Sequence, residues 1–149
     1  MLKLLDVIGF LTFLFVPSCL ACTCSPNPWT TPKEVLYCDA YYVIKGTVVD
    51  KVTQNNTIEY YVQVENVFKG GKEFSIGEIA VFKTGQSSLQ CGVNYLEKGS
   101  KYLFTGPEPY PNYGHGLTIC QWVRKFTQLS REEKKGIRGD YKQYCPDYL

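Results

Sequence analysis

The feature that most restricts this chain is Cys22-Thr23-Cys24, two cysteines one residue apart, placed directly after an apolar leader. Lys3 gives the leader a basic start, Val7 to Val16 is a nearly unbroken apolar run, Pro17-Ser18 breaks any helix, and Cys19-Leu20-Ala21 offers the small residues that a signal peptidase reads. The run is about ten residues long, too short for a hydrocarbon core of about 30 Å. Residues 1–21 therefore read as a signal peptide, although Asp6 is untidy for a leader. Residues 22–149 read as one secreted, soluble domain that begins at Cys22 and inserts in no membrane. A bacterial lipoprotein signal would also put a cysteine first, but Cys19 stands where that signal needs a branched aliphatic residue.

The chain has seven cysteines, and loss of Cys19 with the leader leaves Cys22, Cys24, Cys38, Cys91, Cys120 and Cys145. An even count in a small secreted chain reads as a disulfide framework, whose pairing spacing alone does not choose. Metal binding is the rival reading. A structural zinc site wants CxxC-type spacing or paired histidines, whereas this chain has CxC and a single histidine, His115. The net charge of +2 is too mild for a nucleic-acid partner, which usually needs a concentrated basic face.

Pro26, Pro28 and Pro32 forbid a regular ladder or helix in the segment Ser25 to Pro32, so extended backbone is expected there. Period-two alternation predicts strands at Tyr41 to Val52 and Thr57 to Phe68, joined by a polar turn at Gln54-Asn55-Asn56. Three more strands are expected at Glu78 to Lys83, Lys101 to Gly106 and Leu117 to Val123. Ser130 with Glu133 forms a capping box, predicting a helix from Arg131 to about Tyr144 with Ile137 and Tyr141 on one side. The expected fold is mainly β: a five-stranded barrel of the OB type with a C-terminal helix, stapled by disulfides. Asn55-Asn56-Thr57 is also a glycosylation sequon, and an exposed turn is where a glycan fits; an unused sequon is the alternative.

No enzyme constellation is present. The chain lacks HExxH, GxSxG and a Gly-rich phosphate loop, and a cysteine nucleophile for His115 would need a free thiol that the disulfide reading removes. Glu132-Glu133 are adjacent on the predicted helix and do not face each other, so they read as a solvated face. Arg138-Gly139-Asp140 matches an integrin-binding tripeptide but falls within the predicted helix, which favours chance. The Tyr and Phe residues alternate with polar ones along strands, which favours barrel core over a base-stacking platform.

The mature start "CTCSP", then "CDAYYVIKGTVV", "VFKGGKEF", "CGVNYLEKGSKYLFTG", "ICQW" and "LSREEKKGI" running into "YKQYC" resemble the N-terminal inhibitory domain of the tissue inhibitors of metalloproteinases, within the netrin-like superfamily. The resemblance covers Cys22 to Cys145 with all six cysteines in order, and the terminal CxC and "CGV" are its most specific parts. It implies disulfides Cys22–Cys91, Cys24–Cys120 and Cys38–Cys145. It also implies that Cys22, Thr23, Cys24, Ser25 and Pro26, with Leu89, Gln90 and Gly92, form one ridge entering a metalloproteinase cleft. In that picture Cys22 reaches the enzyme's zinc and Thr23 points into the specificity pocket. The partners implied are secreted zinc metalloproteinases, met in the extracellular space or matrix by a monomer that has no cofactor of its own and is no enzyme. Vertebrate relatives carry a second six-cysteine domain, whose functions are not expected of this chain. The rival from another class is a netrin-like module that binds matrix, growth-factor or immune components without inhibiting a protease.

Why a terminal cysteine suits such a role is a matter of coordination chemistry. A catalytic zinc held by three protein ligands keeps a fourth position for the attacking water. A free α-amine and the carbonyl of the same residue form a five-membered chelate that can take that position, whereas an internal amide nitrogen has no usable lone pair. Cleavage directly before Cys22 would then be a functional requirement.

Overall fold

The computed structural model describes residues 22–109 and 114–146. The expected leader, residues 1–21, lies outside the described residues, and no described helix is long and apolar enough to cross a membrane. The chain runs α1 (Lys33–Asp39), β1 (Tyr42–Gln54), β2 (Thr57–Lys69), β3 (Ile79–Gly85), β4 (Lys101–Gly106), β5 (His115–Gly116), β6 (Arg124–Lys125) and α2 (Arg131–Arg138), with short 3-10 turns at Ser88–Gln90, Phe126–Gln128 and Asp140–Tyr144. The strands form one sheet in the order β5-β3-β2-β1-β4-β6.

The β1–β2 hairpin is the spine. Its turn is Asn55-Asn56, both with positive φ (49° and 60°), a conformation asparagine tolerates better than other residues with a Cβ. Register shifts between Val43/Ile44, Lys45/Gly46 and Val48/Asp50 let β1 bend, so that its first half also pairs with β4. Side chains from β1 and β4 then go alternately to two cores. Ile44, Phe104, Phe82, Tyr42, Tyr60 and Leu117 fill the inner one. Val43, Leu103, Leu36, Trp122 and Ile137 form the second, beneath the two helices and beside the Cys38–Cys145 bridge.

Three expectations change. The fifth strand, expected at Leu117 to Val123, is not regular: Thr118 Oγ1 accepts from the Cys120 amide and Gln121 Oε1 from the Thr118 amide. These side chains take backbone donors that a ladder would use. Only the flanks pair, β5 parallel to β3 and β6 antiparallel to β4, so the sheet has six strands rather than five and β5 and β6 at its edges. The predicted C-terminal helix has its capping box, with Ser130 Oγ accepting from the Glu133 amide at 3.0 Å, but stops at Arg138. A Cβ on Gly136 would meet the Tyr141 ring, so the chain folds back on itself there and continues as a 3-10 turn. Finally, α1 has no counterpart in the sequence reading, and the proline-rich segment before it is extended only in part: the Thr30 and Thr31 amides both donate to the Asn27 carbonyl.

Two titratable groups tie this fold to pH. His115 sits among Phe74, Phe82 and Tyr42, with ring centroids 4.5, 5.4 and 5.7 Å away. Burial pushes its imidazole below the usual range, against the opposing pull of Glu73 and Glu78. Burial alone would raise the Glu65 carboxyl, but hydrogen bonds from Lys101, Lys45 and Thr47 hold it at about 2. Both depressed values mean that the unfolded chain binds more protons, so stability falls with pH in two windows. The first opens below about 6.5 for His115, and the second lies between 4.5 and about 2 for Glu65. Denaturant titrations across pH should find the upper step flattened in His115→Leu and the lower one in Glu65→Gln, the latter also costing about 1–2 kcal/mol near neutrality.

Candidate functional site

The bridges Cys22–Cys91 and Cys24–Cys120 draw the first described residues onto two loops, with Cα separations of 5.7 and 5.1 Å. They are the pairs the resemblance implies, as is Cys38–Cys145. Thr23 is exposed between two half-buried cysteines, and Ser25 and Pro26 are exposed after them.

The loop after β3 is built to hold Cys91. Gln90 Oε1 accepts from both the amide and the hydroxyl of Ser87, at 3.3 and 3.2 Å. The Ser87 carbonyl accepts from the Gln90 and Gly92 amides, and the Ser88 carbonyl from the Cys91 amide. Cys91 takes a left-handed conformation (φ 55°), which turns its sulfur toward Cys22 while the chain reverses. Val93 re-enters the core, its amide donating to Thr84 Oγ1 at 2.8 Å and its carbonyl accepting from Tyr60 Oη at 2.9 Å. Both ends of the loop are thereby anchored, and the side chain at its tip, Leu89, is 79% exposed.

A further bond unites the two loops: the Ile119 amide donates to the Cys91 carbonyl at 2.9 Å. Cys22, Cys24, Cys91 and Cys120 therefore belong to one platform. Neither Cys22 to Pro28 nor Gly85 to Tyr95 contains a charged residue. The ridge is neutral, with an apolar side chain at Leu89, a hydroxyl at Thr23 and amides at Gln86 and Gln90.

Among the described residues no group of three or more His, Cys, Asp or Glu is placed to hold a metal ion. A family model described as Tissue inhibitor of metalloproteinase matches residues 20–147. The chain belongs to the tissue inhibitor of metalloproteinase family. Curated relatives include Metalloproteinase inhibitor 2 of Homo sapiens, 29% identical over 136 residues that cover 84% of this chain and 58% of the relative. The proteins of the same name from Oryctolagus cuniculus and Bos taurus are 27% and 26% identical, covering 83% and 87% of this chain and 65% and 60% of theirs. This family member thus spans about three fifths of the length of these relatives.

Within this family member the expected site residues separate into two kinds. Cys22, Thr23, Cys24, Ser25, Pro26, Leu89 and Gln90 meet at the surface through the two bridges. Gly92 is buried, and a Cβ there would run into the Gly85 carbonyl oxygen and lie 3.1 Å from that of Ser87, so it shapes the loop from beneath. The sequence reading missed Ser87 and Thr84, whose hydroxyls anchor the loop; a serine three residues before a glutamine was the available signal. It also missed Trp29 and Tyr95, 68% and 52% exposed beside the ridge. Gly92→Ala should destabilise the protein by about 1–3 kcal/mol, because the obstructing atoms are backbone. The same variant should speed hydrogen exchange at the Ile119 amide, whose acceptor is the preceding carbonyl, that of Cys91.

Proposed function

We propose that this protein is a secreted inhibitor of zinc metalloendopeptidases, and that the ridge enters the target's cleft with Cys22 at the zinc. The observation that carries the proposal is Thr23 standing exposed between two cysteines, each bridged to a different loop of one platform. Family membership supports it, since the curated relatives are named as metalloproteinase inhibitors.

In this reading the leader is removed before Cys22, and the freed amine and its carbonyl chelate the target's zinc in place of the attacking water. The zinc belongs to the enzyme and the inhibitor brings no cofactor. Terminal amines ordinarily titrate at about 7.7–8.0 and donate only when neutral, so binding releases a proton and weakens in acid. Thr23, short and stiff at χ1, fills the mouth of the specificity pocket. Ser25, Pro26, Leu89 and Gln90 line the rest of the cleft. A ridge without charged side chains suits this task, because no side-chain charge has to be desolvated on entry.

The segment from His115 to Lys125 pairs with β3 at one end and β4 at the other. That double pairing supports a sheet curled into the OB-type barrel of netrin-like domains. The sequon residue Asn55 lies exposed at the hairpin tip, an accessible position for a glycan.

Two measurements test the reading on protein purified from a secreting host. A variant carrying one extra alanine before Cys22 should lose at least about a hundredfold in inhibition, since the amine that supplies the zinc ligand becomes an amide; full potency would exclude chelation. Thr23→Gly should weaken inhibition of some zinc endopeptidases by about tenfold or more through the lost pocket contact, and unchanged constants across a panel would remove Thr23 from the site.

A further inference from the structure

Beside the ridge lies a hollow of about 340 Å³, whose walls include Pro28, Trp29, Lys33, Tyr95, Trp122 and Arg124. Its place follows from the chain: Trp29 continues the segment that starts at Cys22, Tyr95 continues the loop that holds Cys91, and Ile119 and Gln121 flank Cys120. A body seated on the ridge would therefore roof this hollow.

Two cations line it, Lys33 and Arg124. Lys45, Lys83, Lys98, Lys101, Lys125 and Lys135 each have a carboxylate oxygen within 3.0 Å. Lys33 and Arg124 make no ion pair among the described residues. Lys33 Nζ donates to the Pro28 carbonyl at 2.7 Å and stands 5.5 Å over the Trp122 ring. Burial pushes its ammonium below the usual lysine range, Glu133 pulls the other way, and the Arg124 charge pushes it further down. Two like charges thus share a partly desolvated site, an arrangement that an incoming anion relieves. The indole N–H of Trp122, a residue only 4% exposed, also lacks an acceptor among the described residues. Trp29 and Tyr95 supply exposed aromatic surface at the hollow.

We propose that this hollow receives one glutamate or aspartate side chain from the rim of the target metalloproteinase, its carboxylate between Lys33 and Arg124 and its methylenes against Trp29 and Tyr95. The inference rests on the inhibitor reading and adds a specificity determinant to it. A hollow of this size takes one side chain, whereas an extended polyanion needs a continuous track of cations, and only Lys33 and Arg124 line this one.

The test compares inhibition constants of the protein beginning at Cys22 with those of Arg124→Glu, Arg124→Lys and Lys33→Met, at several salt concentrations, against a panel of zinc metalloendopeptidases. Arg124→Glu should raise the constant about tenfold or more for the enzymes bound best and reduce its salt dependence, with Arg124→Lys close to the unmodified protein. The thermal midpoint of Arg124→Glu should be unchanged, and Lys33→Met supplies an independent reading should that variant fold poorly. In the complex the Trp122 indole proton resonance should shift and exchange more slowly. If Arg124→Glu and Lys33→Met inhibit as the unmodified protein does, with the same salt dependence, while the alanine extension still abolishes inhibition, the seat is wrong and the chelation reading stands. If the unmodified protein inhibits no enzyme in the panel, both fall. If it is a dimer that Arg124→Glu dissociates, the occupant is a second copy of this chain and the proposal is overturned.

Discussion

Two sulfur bridges separated by a single residue decide what the exposed face of this molecule can be. A chain terminus ordinarily frays, and ordering it on a partner costs about 1–2 kcal/mol per backbone residue. With the proposed start at Cys22, the terminus is tied through Cys22 and Cys24 to residues 69 and 96 positions away, and Thr23 has little freedom left to lose. In the chain-entropy account, bridges closing loops of this length stabilise the folded state by about 4–5 kcal/mol each. The same covalent constraint that steadies the domain also preorganises the proposed zinc-binding terminus, which is where affinity comes from when a contact surface is small.

The rest of the structure supplies a rigid backing for those bridges. The bent β1–β2 hairpin distributes side chains between two cores, and the Thr84 hydroxyl and Val93 backbone lock the Cys91 loop to the inner one. The hydrogen bond from the Ile119 amide to the Cys91 carbonyl joins the two anchoring loops directly.

Charge is arranged around this ridge in a consistent way. The segments that form it are neutral, and the strand faces carry lysines matched with carboxylates, such as Glu65 between Lys45 and Lys101. Lys33 and Arg124 at the ridge's edge make no ion pair among the described residues. In the proposed reading a ridge without side-chain charge, bordered by these two cations, separates two tasks: the ridge makes contact without desolvating a charged side chain, and the border discriminates among partners that present different rims.

Much of this was legible in the residues. Period-two alternation located β1 to β4 to within a few positions, since each strand buries one face and the pattern is local. The Ser130–Glu133 capping box located the start of α2 for the same reason. CxC after an apolar N-terminal stretch, with the motifs around the other cysteines, pointed to the family. Tertiary structure alone decided the rest, because those features depend on residues far apart in sequence. Thr118 and Gln121 turn an apparently alternating strand into an irregular loop by taking its backbone donors. Tyr141 folds back onto Gly136 and ends the helix early. Gly92 is buried under carbonyls that no spacing rule foresees, and Lys33 meets Arg124 only because the fold carries α1 next to β6. Local pattern specifies which way a side chain faces along its own element; only packing specifies what it faces.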